Sequence, residues 1–152
     1  MTASRIRKIQ VCLGAILAVL VWTAAGAGGQ GVSKQGNSWV RMTVGPVKVQ
    51  AEAVSTPPRL YLGLSNRPGL PEGRGMLFFM RDKKVQIFCM RGMRFPLDLV
   101  WIVDGRVAGI TRNVPPTFTG ELSSPVPVNY VLEVPGGFAA KSGIKVGDRV
   151  SW

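Results

Sequence analysis

Asp104-Gly105 stands between two apolar runs, LDLVWIV and RVAGITRNV, and it constrains the fold more than any other feature of the chain. Both residue types tolerate the left-handed backbone of a two-residue hairpin turn, so the runs are expected to pair as antiparallel strands. Asp104 is thereby committed to a turn. Other short apolar segments repeat the pattern. VKVQAEA, residues 47–53, alternates strictly, with valines and alanines on one face and Lys48, Gln50 and Glu52 on the other, as a half-buried strand does. WVRMTV is its expected partner across Gly45-Pro46.

MLFFM and KVQIFCM, joined by Arg81-Asp82-Lys83, are predicted to form a second strand pair. NYVLEV is predicted to be a strand with Tyr130, Leu132 and Val134 on one face, and a last strand is expected over residues 148–151. Trp39, Trp101 and Tyr130 alternate with apolar neighbours and read as core aromatics. Helix is confined to a short piece after Thr56-Pro57-Pro58 and a turn around FAAKSG, which Gly143 can end in the left-handed conformation. SNRPGLPEGRG must be loop, and Pro115, Pro116, Pro125 and Pro127 imply another long surface loop. The predicted fold class is all-β, a compact barrel or sandwich of short, mostly antiparallel strands with one or two short helices and no βαβ alternation.

The N-terminus carries Arg5, Arg7 and Lys8, then an apolar stretch over residues 11–22, then small residues ending at Ala27. These are the three parts of a signal peptide, so residues 1–27 are expected to direct export and be cleaved; an uncleaved anchor over residues 9–27 is the alternative. Residues 28–38, rich in Gly, Ser and Gln, read as a flexible leader, and residues 39–152 as one β domain. Removing the three N-terminal cations from the formal +11 leaves +8, a charge that favours anionic ligands or surfaces. Export and the absence of any nucleic-acid-binding signature make nucleic acid a poor default partner, although basic and aromatic residues interleave in FFMRDKKVQIFCMRGMRF. The membrane enters only through the N-terminal segment.

The sequence contains no histidine, which removes Ser-His-Asp and Cys-His nucleophilic catalysis and every His-ligated metal site. With Cys12 in the export segment, Cys89 is the one thiol of the domain, too few for a disulfide or a thiolate cage. Its place in VQIFCM, in phase with Val85 and Ile87, predicts burial on the core side. No cofactor and no metal is expected. Among the carboxylates, Glu52 falls on a polar strand face, Glu72 and Glu121 in loops, and Asp82 and Asp148 in turns; Glu133 lies on the strand face opposite Tyr130.

Asp98 lies in apolar surroundings, between Leu97 and Leu99, on the strand face of Val100 and Ile102. A buried acid must be paired, so a structural ion pair is the first reading of it. The functional reading makes Asp98, Arg91 and Arg94, with Met90, the polar floor of a ligand cleft, the arginines gripping a carboxylate or phosphate by forked hydrogen bonds. No residue is assigned a catalytic role.

GLPEGRGMLFFM, FCMRGMRFPLDLVWIVDGRVAGI, NVPP and YVLEVPGGFAAKSGIKVGDRV, in this order, resemble the bacterial and archaeal family called domain of unknown function 192, over residues 39–152. The resemblance implies a compact β domain with a short helix, often exported, with no established activity. The family's motif reads Trp-Met-Lys-Asn-Thr ahead of Pro-Leu-Asp. This chain keeps Met90, a base at Arg91, and Pro96, Leu97 and Asp98, but has Cys89, Gly92 and Met93 where the family tends to have Trp, Asn and Thr. AAKSGIKVGDRV also resembles the middle of a PDZ domain, a likeness explained by shared turn chemistry at Ser142-Gly143 and Gly147-Asp148.

The chain is thus expected to be an exported, non-enzymatic binding or accessory module of the cell envelope, partnered by an envelope protein or an anionic ligand. The alternatives are a hydrolase using Asp98 with a second loop carboxylate, and a membrane-tethered structural protein.

Overall fold

The structure, a computed structural model, describes residues 31–152; the expected signal or anchor segment over residues 1–27 lies outside the described residues. Within them the order is β1 (Ser38–Val44), β2 (Val47–Val54), α1 (Pro57–Leu62), β3 (Arg74–Lys84), β4 (Ile87–Phe88), β5 (Leu97–Val103), β6 (Arg106–Val114), β7 (Leu122–Ser123), β8 (Val128–Pro135), α2 (Phe138–Lys141) and β9 (Val150–Ser151). The fold is all-β. Seven strands form one sheet in the order β6-β5-β8-β3-β2-β1-β9, and β4 pairs with β7 as a separate ribbon.

The two hairpins fixed by local turn chemistry form as the sequence predicts. β1 and β2 pair antiparallel from Ser38↔Ala53 to Val44↔Val47, and β5 and β6 pair around Asp104 and Gly105, both at positive φ (49° and 67°). The sheet then curls until its ends meet at one corner. There the Val107 amide donates to the Asp148 carbonyl at 3.0 Å and the Val150 amide to the Gly105 carbonyl at 2.8 Å.

Two predictions fail on long-range pairing. MLFFM and KVQIFCM do not form a hairpin. Instead β3 runs unbroken from Arg74 to Lys84 between β2 and β8, and Ile87-Phe88 turns away to the ribbon. Also, β2 and β3 are parallel with α1 between them, so the chain does contain one β-α-β crossover. Residues 31–38 of the expected leader are folded onto the domain. Ser33 and Asn37 are buried and donate to the Glu52 carboxylate at 2.9 and 2.7 Å, while Arg59 on α1 donates to the Gly36 carbonyl and the Asn37 side chain.

Both faces of the sheet are covered. Leu77, Val100, Ile102, Leu132 and Val134 point into the curl, closed at one end by Phe138 and Ala139 of α2. Alternation sends Met76, Phe78, Leu99, Trp101 and Val131 to the outer face, where Leu64, Met90 and Leu122 pack on them. Trp101 is fully buried, its indole N–H donating to the Thr111 hydroxyl at 2.9 Å, whereas Trp39 and Tyr130 are half-buried.

Cys89 is exposed, against the expectation of burial. The alternation is real but its phase is reversed. Phe88 turns inward to meet Phe78 and Trp101 edge to face at 5.1 and 5.7 Å, and Gln86 goes with it. Gln86 is tolerated inside because its amide donates to the Asp82 and Val128 carbonyls and its backbone N–H to the Ser124 hydroxyl. Val85, Ile87 and Cys89 are left outside.

Candidate ligand-binding site

Asp98 is fully buried on the inner face, and three backbone N–H groups saturate it. Its Oδ1 accepts from Asn113 at 2.6 Å and Gly137 at 3.0 Å, and its Oδ2 from Ala139 at 2.8 Å. The carboxylate thus ties β5 to the end of β6 and to the first turn of α2, satisfying donors that the helix cannot satisfy itself. A buried acid at this position calls for a cationic or backbone partner, and backbone amides fill that role.

Arg91, Arg94 and Met90 do not join it. Arg91 lies flat on the Tyr61 ring, 3.9 Å from its centroid, and also hydrogen-bonds the Tyr61 hydroxyl. Tyr61, on α1, covers the outer face. Met90 is buried in the outer cluster, and Arg94 is exposed without an ion pair among the described residues. Asp98 and Arg91 therefore stand on opposite sides of the sheet, and the polar floor proposed for the four residues together is not assembled.

What the outer face holds instead is a cavity of about 580 Å³ between α1, the β4 segment and the sheet. Phe78, Phe88, Met80 and Met93 give it an apolar interior, while Arg91, Cys89 and Glu121 contribute to its lining. Glu133 of β8 opens into it. The residue as a whole is 6% exposed, and among the described residues its carboxyl has no hydrogen bond and no ion pair. Burial pushes it up to about 8, opposed by the nearby Arg67 guanidinium.

Arg67 is committed elsewhere. It grips Glu52 with two guanidinium nitrogens, at 2.5 and 3.0 Å, and Glu52 takes the Ser33 and Asn37 bonds as well. Burial works to raise the Glu52 carboxyl, but the bonds from Arg67, Asn37 and Ser33 prevail and hold it below the usual carboxylate range. The outer face of the sheet thus carries one buried acid fully served and one left open to the cavity.

The sequence reading placed Glu133 on the face away from Tyr130, which is correct, but gave that face no cover and so no significance. A carboxylate flanked by Leu132 and Val134 on a strand read as buried was the available signal. Among the described residues, no group of three or more Cys, Asp or Glu side chains comes together to hold a metal ion. Among the described residues, no helix is long and apolar enough to cross a membrane.

Comparison with solved structures finds a protein of unknown function from Novosphingobium aromaticivorans DSM 12444. It is 34% identical, with a TM-score of 0.79, covering 86% of this chain and 97% of that one. A proposed transcription regulator from Sinorhizobium meliloti 1021 is also similar, at 26% identity and a TM-score of 0.67, covering 79% of this chain and 88% of that one. No curated protein matches. Residues 40–152 match the family model DUF192, described as Uncharacterized ACR. With nearly the whole described fold inside that match, the chain belongs to the domain of unknown function 192 family.

Proposed function

We propose that the protein is a binding module whose ligand site is the outer-face cavity, and that it takes a small organic molecule with an apolar body and one polar group. The observation that carries this reading is Glu133, a buried residue whose carboxyl has no partner among the described residues and opens into a space lined by aromatic rings and thioethers. A buried polar group normally has its hydrogen bonds, so an unpaired one facing a cavity of ligand size calls for a partner from outside. The hydrolase reading loses its acid, because both oxygens of Asp98 are occupied by backbone amides. The module is proposed to act outside the cytoplasm, on the strength of the N-terminal basic, apolar and small-residue sequence. Intact mass of the protein recovered from cells should then start near Gly28.

A second reading, an envelope protein seated over the cavity mouth, is favoured by Tyr61, Leu62 and Ile87, which line it with 72, 54 and 59% of their surface exposed. The test of the first reading uses Cys89 at the cavity's edge. A neutral fluorophore, N-phenyl-1-naphthylamine, should brighten on adding the protein and should slow alkylation of Cys89. Prior attachment of a bulky maleimide should abolish the fluorescence gain. Unchanged fluorescence together with equal alkylation rates would refute the cavity as a binding site.

A further inference from the structure

We propose that the polar group recognised in this cavity is an organic ammonium, held by an ion pair with Glu133 while its apolar body lies along Phe78 and Phe88. The inference rests on the cavity being the ligand site and adds the chemical class of the ligand.

The charged and titratable groups that face Glu133 can be followed element by element. From β2 and the loop after α1 come Glu52 and Arg67, which neutralise one another through two hydrogen bonds. From α1 comes the Tyr61 phenol, whose ring is covered by Arg91. Cys89 and Arg91 lie beyond β4, and Glu121 stands just before β7. Two of the charged side chains lining the cavity are acids, Glu121 and Glu133, and one is a base, Arg91, already spent on Tyr61. With Glu133 ionised the local balance is negative, although the protein as a whole is strongly basic. Exposed cations elsewhere are screened over about 8 Å at physiological salt, so the cavity's own groups decide which charge enters.

The apolar lining favours the same class. Aromatic faces attract cations, and the Arg91 guanidinium stacked on Tyr61 shows this at the cavity's edge. The free site holds its proton because burial outweighs the opposing charge of Arg67, which is paired with Glu52. An entering ammonium tips that balance. The Glu133 carboxyl gives its proton to the solvent, the ammonium keeps its own, and a buried ion pair forms. With Glu133 near 8, roughly nine sites in ten are protonated at pH 7, so binding there should release close to one proton per ligand.

The test compares three probes of matched shape on the full-length protein: 2-phenylethylamine, 2-phenylethanol and 3-phenylpropionate. Affinities are followed by NMR titration, and proton release by calorimetry in buffers of different ionisation enthalpy. The amine should bind at least tenfold more tightly than the alcohol at pH 8. Its affinity should rise about tenfold per pH unit up to pH 8 and then level off, with proton release near one at pH 7. Glu133→Gln should remove the preference for the amine over the alcohol and, with it, the proton release on binding. Equal or tighter binding of the alcohol or the propionate, or an amine affinity that falls between about pH 8 and pH 9, below the amine's own titration, would overturn the ammonium inference while keeping the cavity as the ligand site. Failure of all three probes to bind would overturn both.

Discussion

Glu52 and Glu133 stand in one row across the sheet, each directly opposite Met76 of β3, yet only Glu52 is gripped by Arg67. Burial raises both acids, but the bonds from Arg67, Asn37 and Ser33 carry Glu52 below the usual carboxylate range, whereas Glu133, opposed only by the charge of Arg67, is pushed up to about 8. The two therefore contribute to stability with opposite dependence on pH.

Glu133 holds a proton in the folded protein that the unfolded chain gives up at ordinary carboxylate pH. Its contribution to stability is thus greatest below that pH and declines as pH rises to about 8, with a limiting slope of about 1.4 kcal/mol per unit. Glu133→Gln should gain at least about 2 kcal/mol relative to the parent between pH 5 and pH 8. Urea denaturation at several pH values measures this; a difference that does not change with pH contradicts it.

Glu52 behaves in the reverse sense, since its lowered carboxyl stabilises the fold above the unfolded value and loses that effect as pH falls through the folded one. Glu52→Gln leaves the half-buried Arg67 without its anion, and should cost about 2 kcal/mol at pH 7. It should also free residues 31–37 to exchange their amides, because Ser33 and Asn37 lose the charged acceptor that holds them. Retained protection in that segment would show that other contacts fix it.

Asp98 accepts three backbone N–H bonds with two oxygens. Asn at this position keeps one oxygen and turns an amide donor toward a backbone donor, so Asp98→Asn should lose about 2 to 3 kcal/mol. Probe binding in the outer-face cavity should persist at temperatures where the variant is folded. An equally stable variant that no longer binds would give Asp98 a role in recognition.

Cys89 is exposed, so a small thiol reagent should label the native protein at a rate near that of the unfolded chain. Strong protection in the free protein would restore the burial that its sequence position suggested.

What could be read from the sequence was what local chemistry dictates. Asp104-Gly105 and the alternation over residues 47–53 carry their own geometry, and both hairpins follow. The parallel pairing of β2 with β3 depends on a crossover through α1 that no dipeptide encodes, and it was not foreseen. Alternation tells which residues share a face but not whether that face is covered. The same gap explains why Glu52, expected on a polar strand face, is buried, why the face of Glu133 carries no expected role, and why the phase of the strand around Cys89 is reversed. The burial of Asp98 was legible from Leu97 and Leu99. Its partners were not, because they are main-chain amides at residues 113, 137 and 139, brought together only by the completed fold.

The cavity's surroundings differ in how firmly they are held. β3, β8 and β5 are each paired on both sides, whereas α1 has no fully buried residue and β4 meets β7 through only two residue pairs. Amides of α1 and the ribbon should thus exchange through local opening, and those around Glu133 only when the whole domain unfolds. The floor is a rigid anvil and the walls are compliant, so ligands of different girth can be admitted by displacing α1 or the ribbon while meeting the same fixed carboxyl within.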